Sequence, residues 1–316
     1  MRDSLFMRVC SMEGQRQKKT YMYMLSIALC VFINLTASCG NNRQKCDNTL
    51  SLDTVKIQRC QNGDTVTIDA VIPHDTNTEL CKSFMNVIKE VFGSYNIEYD
   101  NPKNVLSACT DSTYNKFVRD SIENIILEHS IVKVYETDNL VSFVFSHYSN
   151  TANSYYIDDR SIGVTFRKDN GQRIDMLSLM KGNFFSKEWQ DYIKLQLKRY
   201  WEIPTANEMS NLFTAIGREN VPENVLLQLS NSMLSDKLTE LNGIGNFAGR
   251  TEEYDVGENN IPIPKDGLYF TMDGLMFCYD IGELCHPTEG CPAFCMPYSV
   301  LEDFLNENGK QLIMCK

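Results

Sequence analysis

Three strand-turn-strand patterns constrain the fold of this chain more than any other feature of its sequence. Apolar and polar residues alternate around residues 53–60 and 65–72, on either side of the turn QNGD. Residues 130–149 repeat this pattern around TDN, and residues 161–176 repeat it around DNG. A period of two buries one face of a strand, and Asn-Gly favours the tight turns of hairpins. The sequence therefore predicts antiparallel pairs of strands.

Helical patterns separate these strand pairs. In NTELCKSFMNVIKEVFG the apolar residues recur every three or four positions, with Asn77 as the predicted N-cap and Gly93 as the stop. Residues 112–129 repeat this spacing. Further helices are predicted after residue 186 and in 206–216, 222–242 and 298–308, and further strands in 267–280, 293–297 and 311–315. The predicted fold class is α+β, with a mostly antiparallel sheet and helices packed on one side.

Residues 1–38 have the layout of a secretory signal. Arg16, Lys18 and Lys19 precede an apolar run that ends in LTASC. This ending resembles the lipobox of bacterial lipoproteins, whose cysteine carries the lipid after cleavage, although Thr36 stands where an aliphatic residue is usual. We predict a lipoprotein signal peptide, lipidation of Cys39, and a membrane-attached protein of the bacterial envelope, on the periplasmic face or the cell surface. An uncleaved anchor and a plain cleaved signal are the alternatives.

The segment after the signal and the overall charge limit the partners of the chain. Residues 39–52 are polar without apolar periodicity, which predicts a tether between the lipid and the fold. Residues 1–38 hold five of the 30 basic residues and two of the 41 acidic ones. Residues 39–316 therefore carry a net charge of −14. Such an acidic chain repels nucleic acid and anionic head groups. No nucleic-acid partner is expected, and a cationic ligand is electrostatically favoured.

Two blocks in the C-terminal half carry a family resemblance. The first, DNGQRIDMLSLM, contains Asp169, Gly171, Ile174, Leu177 and Leu179. The second contains Gly274, Leu275, Phe277, Tyr279, Ile281, Gly290, Pro297, Tyr298 and Leu301. In this order they resemble DUF3298, the domain of unknown function shared by the lysozyme-sensing anti-sigma factor RsiV and by PdaC-like peptidoglycan deacetylases. Where that family has a Gly- and His-containing run before the first block, this chain has SNTANSYYIDDRS.

The resemblance implies a domain organisation and a role. Residues 131–316 would form the RsiV-like C-terminal α+β domain, and residues 53–130 a small α+β region similar to the DUF4163 domain that precedes it. Many relatives with this layout are lipoproteins, in agreement with Cys39. The anti-sigma relative implies recognition of a cationic, lysozyme-like protein or of a cell-wall glycan.

The cluster LCHPTEGCPAFC, residues 284–295, admits four interpretations. A zinc site would need Cys285, His286, Cys291 and Cys295 to converge, but two adjacent ligands reach one ion with difficulty. A nucleophilic cysteine would need a positioned base, and neighbouring side chains of an extended backbone point apart. A disulfide, with Cys285 and Cys291 as the predicted pair, and free thiols remain open. We predict no metal ligands here.

Other candidate chemistry is sparse. His74, His129 and His147 lie at predicted loop, helix and strand ends, where a solvated or capping role is usual. Asp158 and Asp159 are predicted to form a polar turn, because two acids are too few to hold calcium. The aromatic residues of NFFSKEW are predicted to pack in the core, with a sugar-stacking platform as the alternative. No nucleophile elbow, P-loop or HExxH motif occurs.

These observations predict a lipid-anchored envelope protein with a non-catalytic binding role. We expect no catalytic residues and no cofactor. A structural envelope lipoprotein is the first alternative, and a hydrolase that modifies the cell wall is the second. A cleft in which a His or Cys meets a carboxylate would favour the hydrolase.

Overall fold

The computed structural model describes residues 49–93, 101–120, 122, 124–151, 158–182, 185–218, 221–242, 260–264, 266–280, 283–284 and 291–314. Residues 48–316 form one compact unit. Its first elements are β1 (Leu52–Gln61) and β2 (Asp64–Pro73), which pair in antiparallel orientation. Asn62 and Gly63 have φ angles of 53° and 92°, the left-handed conformation that a tight hairpin turn requires. The predicted first hairpin is confirmed.

Two helices follow the hairpin. Helix α1 (Glu79–Phe92) starts at Thr78, one residue after the predicted cap, because the Thr78 side chain accepts the Cys81 N–H. It ends at Gly93 as predicted, with φ of 78°. Helix α2 (Pro102–Arg119) confirms the predicted helix for residues 112–119, but it begins about ten residues earlier, and the predicted continuation to residue 129 was wrong.

The physical reason lies in the caps of α2. Asn101 caps the helix, and Pro102 occupies its first turn, where its missing N–H costs nothing. The apolar residues that suggested one continuous helical stripe do share one cluster, in which Tyr114, Phe117 and Ile122 pack against Ile125 and Leu127. Tyr114 and Phe117 belong to α2, Ile122 and Ile125 to the connection that follows, and Leu127 to the next strand. A periodic sequence pattern does not show these changes of secondary structure.

Five strands form the larger sheet. Strands β3 (Ile126–Glu136), β4 (Leu140–Asn150) and β5 (Asp158–Arg167) complete the order β1-β2-β3-β4-β5. All neighbours are antiparallel except β2 and β3, which run parallel because α1 and α2 connect them. The boundary predicted between residues 130 and 131 lies inside β3.

Helices α1 and α2 cover one face of this sheet. Phe84 of α1 is fully buried, with its ring centroid 4.9 Å from that of Phe143 and 5.1 Å from that of Phe145 on β4. Val164 and Phe166 of β5 complete this core. Because each buried Phe contributes about 1.5–3 kcal/mol, this face supplies a large share of the stability.

A smaller sheet and more helices build the C-terminal part. Strands β6 (Leu268–Phe270), β7 (Gly274–Cys278) and β8 (Ala293–Pro297) are antiparallel in that order. Helices α3 (Lys187–Tyr200), α4 (Ala206–Ala215) and α5 (Glu223–Asn242) precede them, and α6 (Tyr298–Phe304) and α7 (Glu307–Met314) follow. Trp189, Phe277 and Leu301 centre a second core. The α+β class with a mostly antiparallel sheet is confirmed.

Two strand predictions near these elements were wrong. Residues 311–315 were expected to form a strand, but α7 covers most of them, because the Asn306 side chain accepts the Gly309 N–H and caps that helix. After DNG no second strand forms, and only an isolated bridge joins Phe166 to Arg173. A short 3-10 helix, Met176–Leu179, follows instead, capped by Asp175.

The predicted signal peptide and Cys39 lie outside the described residues. Among the helices that the structure describes, none combines the length and the apolar character needed to cross a bilayer.

Candidate functional site

A cleft of about 300 Å³ opens beside the edge strand β5. Its lining comes from β5, from the segment that leads into the 3-10 helix, and from the residues before and within β6. The lining residues include Thr165, Arg173, Asp175, Leu177, Pro264 and Asp266. Charged and apolar side chains thus face one open space.

Arg173 is the principal charged group of the cleft. Its backbone is held by the bridge to Phe166, and the N–H of the next residue, Ile174, donates to the Thr165 carbonyl oxygen at 2.8 Å. The guanidinium lies 3.4 Å from the Glu90 carboxylate of α1 and 3.4 Å from that of Asp266. All three side chains are between 35% and 43% exposed. Pairs this exposed and this long are weak, so a ligand can replace one partner at low cost.

The rim of the cleft is acidic and apolar. The Asp175 side chain accepts the Leu177 N–H at 3.0 Å and starts the 3-10 helix, which leaves the Leu177 side chain 46% exposed. Ile263 and Pro264 line the cleft as well. Asp175 and Asp266 both line the cleft, and Glu90 pairs with Arg173 from α1, so acidic groups that can bind cations and hydroxyl groups are available here.

The floor of the cleft is fixed by close packing between β5 and β6. A Cβ atom added to Gly163 would lie 1.7 Å from Cδ1 of Tyr269, so the Tyr269 ring lies directly on the glycine. Thr165 Oγ1 accepts the Phe270 N–H at 3.2 Å and lies 2.7 Å from the Ser142 hydroxyl oxygen. Burial raises the pKa of Tyr269, and the ring is neutral at physiological pH.

The lining groups can form hydrogen bonds and ion pairs and can cover apolar surface. The hydroxyl of Thr165 is buried and already engaged with Ser142 and Phe270. The charged and apolar groups of the lining are therefore suited to holding a ligand in place.

Two of the histidines lie in the core, and the expected solvated or capping role is wrong for both. His129 is on β3, not at a helix end, and is 1% exposed, while His147 on β4 is 6% exposed. Nε2 of His129 lies 2.8 Å from Nδ1 of His147, and its Nδ1 lies 2.8 Å from the Thr110 hydroxyl oxygen. The Phe92 ring stacks on His129 at 4.2 Å. Burial, and secondarily the charge on His147, lowers the pKa of His129 to about 3.

The remaining sequence candidates are dispersed. His74 is exposed and lies 3.0 Å from an Asp53 carboxylate oxygen, and His286 is outside the described residues. The predicted turn at Asp158 and Asp159 is wrong, because both begin β5, where their backbones pair with β4. Trp189 is 1% exposed, as the core interpretation predicted, whereas Phe185 is 55% exposed.

The cysteines give no metal cluster within the described part of the chain. Cys39 and Cys285 lie outside it, so lipidation and the pairing of Cys285 with Cys291 stay predictions. No disulfide joins two cysteines whose positions are described, and no group of three or more potential metal ligands occurs among these residues. Burial raises the pKa of the Cys81 and Cys109 thiols to about 11, which keeps them protonated and unreactive.

Solved structures show which fold this arrangement belongs to. A DUF3298 family protein from Bacteroides fragilis is 13% identical, with a TM-score of 0.52 over 85% of this chain and 98% of that one. The chain has the DUF3298 fold. A second DUF3298 family protein, from Pseudomonas aeruginosa, is 14% identical, with a TM-score of 0.48 over 83% and 97%. No family model and no curated protein matches the sequence.

The resemblance predicted from the two sequence blocks is confirmed for the DUF3298 fold. Sequence reasoning nevertheless missed Arg173, Gly163 and Thr165, which it assigned to an ordinary hairpin. One signal was present, because Gly171, Ile174 and Leu177 of the first block surround Arg173 and line or precede the cleft.

Proposed function

We propose that this protein is a lipid-anchored component of the bacterial envelope with a non-catalytic binding role. The cleft beside β5 would receive a cell-wall-related ligand, either a cationic, lysozyme-like protein or a glycan. The secretory layout of residues 1–38 and the position of Cys39 support export and anchoring. The DUF3298 fold is compatible with this role.

The arrangement around Arg173 carries the proposal. Glu90 and Asp266 place two carboxylates beside the Arg173 guanidinium, and Asp175 adds a carboxylate to the lining of a cleft that has an apolar wall. A lysine or arginine of a ligand can pair with a carboxylate that Arg173 releases, and an apolar residue can cover Leu177 and Pro264. The net charge of −11 for the whole chain also attracts a cationic partner over long range.

Titration of the full chain, purified in detergent, with a cationic lysozyme and with soluble peptidoglycan fragments tests this role. We expect one of the two probes to bind, and Asp266→Asn to weaken the binding about tenfold, the effect of losing about 1.4 kcal/mol. Asp111→Asn is the matched control, because Asp111 is also exposed and paired with one arginine, Arg59 on β1. Absence of binding by both probes, or equal weakening by both variants, would contradict the proposal.

Lipid attachment has a separate test. Cells that express the full chain are labelled with radioactive palmitate, and we expect label on the protein but none on Cys39→Ser. Cys46→Ser is the control, since it removes a cysteine seven positions away. Label that persists in Cys39→Ser would rule out the predicted anchor.

A further inference from the structure

A chain of buried hydrogen bonds joins α2 to the five-stranded sheet. The Thr110 hydroxyl of α2 donates to the Leu106 carbonyl oxygen at 2.8 Å, so its oxygen accepts the proton on Nδ1 of His129, 2.8 Å away. Nε2 of His129 then carries no proton and accepts Nδ1–H of His147 at 2.8 Å. The hydrogen bonds therefore run in one direction, from His147 through His129 to Thr110, and this arrangement requires a neutral His129.

The surroundings of His129 are unfavourable for a positive charge. The Phe92 ring of α1 stacks on the imidazole with centroids 4.2 Å apart, and Ile68 of β2 is its neighbour in register. Burial first, and the charge on His147 second, lower its pKa to about 3. Among the described residues, His129 contacts no carboxylate that could compensate an added proton. An ionised ring at this position therefore needs water.

The cationic groups and the thiol near the two histidines do not supply that compensation. Burial keeps the Cys109 thiol of α2 protonated, and Lys89 of α1 acts on it electrostatically. On the other side, β5 places Arg160 opposite His147 in register. Both of these charges are positive, so they oppose a proton on either histidine.

The carboxylates of the surrounding elements are placed away from His129. Glu128 precedes it on β3 and so lies on the opposite face of the sheet. Asp158 lies opposite Ser149 on β5, which β4 separates from β3. The acidic residues of α1, α2 and β2 pair with other groups: Glu79 with Lys82, Glu90 with Arg173, Asp111 with Arg59, Asp64 with Tyr114, and Asp69 with Lys56.

The second half of α2 is attached less firmly than the elements around it. All buried residues of this helix lie between Pro102 and Thr110, and residues 111–119 are half-buried or exposed. The Thr113 hydroxyl donates to the Phe92 carbonyl oxygen at 3.2 Å, and Tyr114 donates to an Asp64 carboxylate oxygen at 2.8 Å. By contrast, β4 is hydrogen-bonded to strands on both sides. Segments with few buried contacts open at the lowest free energy.

We propose that the pair of His129 and His147 is a proton-sensitive latch, which holds residues 111–119 of α2 on the sheet and releases them in acid. Withdrawal of Thr110 and the following turns admits the water that a protonated His129 requires. Release also uncovers Ile125 and Leu127, which are fully buried and against which Tyr114 of α2 packs. Acid thereby exposes an apolar surface at the start of β3.

The size of the effect follows from the two states of His129. In the released state it titrates at its ordinary pKa of 6.5, and in the docked state at about 3. The released state therefore binds a proton that the docked state does not. The ratio of released to docked helix should rise about twentyfold between pH 7 and pH 5.

Hydrogen exchange of the full chain in detergent, followed by mass spectrometry, tests the release. Rates are measured at pH 7 and pH 5 and divided by the intrinsic rates of unprotected peptides. We expect the corrected exchange of residues 111–119 to rise about twentyfold, and that of residues 84–92 in α1 to change by less than about threefold. An unchanged rate in residues 111–119, or an equal rise in both segments, would overturn the inference.

Variants separate the histidine from other effects of acid. His129→Gln keeps an amide near Thr110 and His147 but takes up no proton, so the rise should shrink to about threefold or less. His74→Gln makes the same change at an exposed histidine and should keep the twentyfold rise. Persistence of the full rise in His129→Gln would contradict the latch.

A change on the helix side carries the test if His129→Gln does not fold. Thr110→Val keeps the shape of the side chain but leaves Nδ1–H of His129 without its acceptor. Residues 111–119 should then exchange about tenfold faster than in the parent already at pH 7. Exchange equal to that of the parent would show that the Thr110 contact does not hold the helix.

Discussion

The two faces of the five-stranded sheet are stabilised in different ways. On the face that α1 and α2 cover, Phe84, Phe143, Phe145 and Phe166 pack with ring centroids 4.9–6.5 Å apart. On the opposite face of β4 and β5, hydroxyl groups pair instead, with 2.7 Å between Ser142 and Thr165 and 2.7 Å between Ser146 and Ser161. Large apolar side chains thus form the contact between the helices and the sheet on the first face, whereas small hydroxyl side chains pair between β4 and β5 on the second.

This difference explains where the cleft lies. Phenylalanine side chains fill the space between helix and sheet, whereas Gly163 lets the Tyr269 ring of β6 approach the backbone of β5 directly. The small sheet therefore contacts a narrow part of β5, and the residues next to that contact line an open cleft. We infer that the first face serves stability and the second face positions the candidate binding residues.

The largest expected effect comes from removing an aromatic ring on the helix-covered face. Phe84→Ala leaves a cavity among Phe143, Phe145 and Phe166, and should lower the free energy of unfolding by about 3–5 kcal/mol. Urea unfolding measures it. Phe185→Ala is the matched control, since it removes the same side chain from a position that is 55% exposed. Similar losses in both variants would refute the assigned role of this face.

On the opposite face the critical contact is a glycine. Gly163→Ala would place a Cβ 1.7 Å from the Tyr269 ring, so β6 must shift, at a cost of about 1–3 kcal/mol. Combining it with Tyr269→Ala should recover part of that loss, because the clashing ring is then absent. Additive losses in this double-mutant cycle would show that the two residues do not meet as described. The same urea titrations supply all four free energies.

Local features of the sequence were sufficient to predict the first hairpin, α1 and β4 of the helix-covered face. Asn62 and Gly63 close the first hairpin by their own conformational preference, and the apolar period of α1 orients Phe84 towards the sheet. The alternation in β4 likewise separates Phe143 and Phe145 from the serines. These signals lie within a few residues of one another.

The cleft was not predictable in the same way. Arg173 meets Glu90 and Asp266 across separations of 83 and 93 residues. The conformational preferences of neighbouring residues give no information about contacts between residues so far apart in the sequence. His129 shows a related failure, since residues 112–129 continue an apolar helical period although Asn101 and Pro102 start α2 earlier and shift its end. Long-range tertiary contacts determined the position of Arg173, and a helix cap outside the predicted range determined the bounds of α2.

A gradual effect, spread over several pH units, concerns the buried His129 within the apolar face. His129 has a folded-state pKa of about 3, against 6.5 for an unperturbed histidine. Below pH 6.5 the unfolded chain therefore binds a proton that the folded chain does not. His129 then lowers the free energy of unfolding as the pH falls from about 6.5 towards 3, by at most about 1.4 kcal/mol per unit.

Urea titrations between pH 7 and pH 4 measure this slope. His129→Gln keeps hydrogen-bonding groups near Thr110 and His147 but does not titrate, so its stability should fall less steeply with acid than that of the parent. His74→Gln is the control, because it makes the same substitution at an exposed histidine, beside Asp53. If the free energy of unfolding of His129→Gln falls with acid as steeply as that of the parent, burial of the neutral His129 is not the source of the acid sensitivity. The acid sensitivity would in that case have to arise from the carboxylates of the surface.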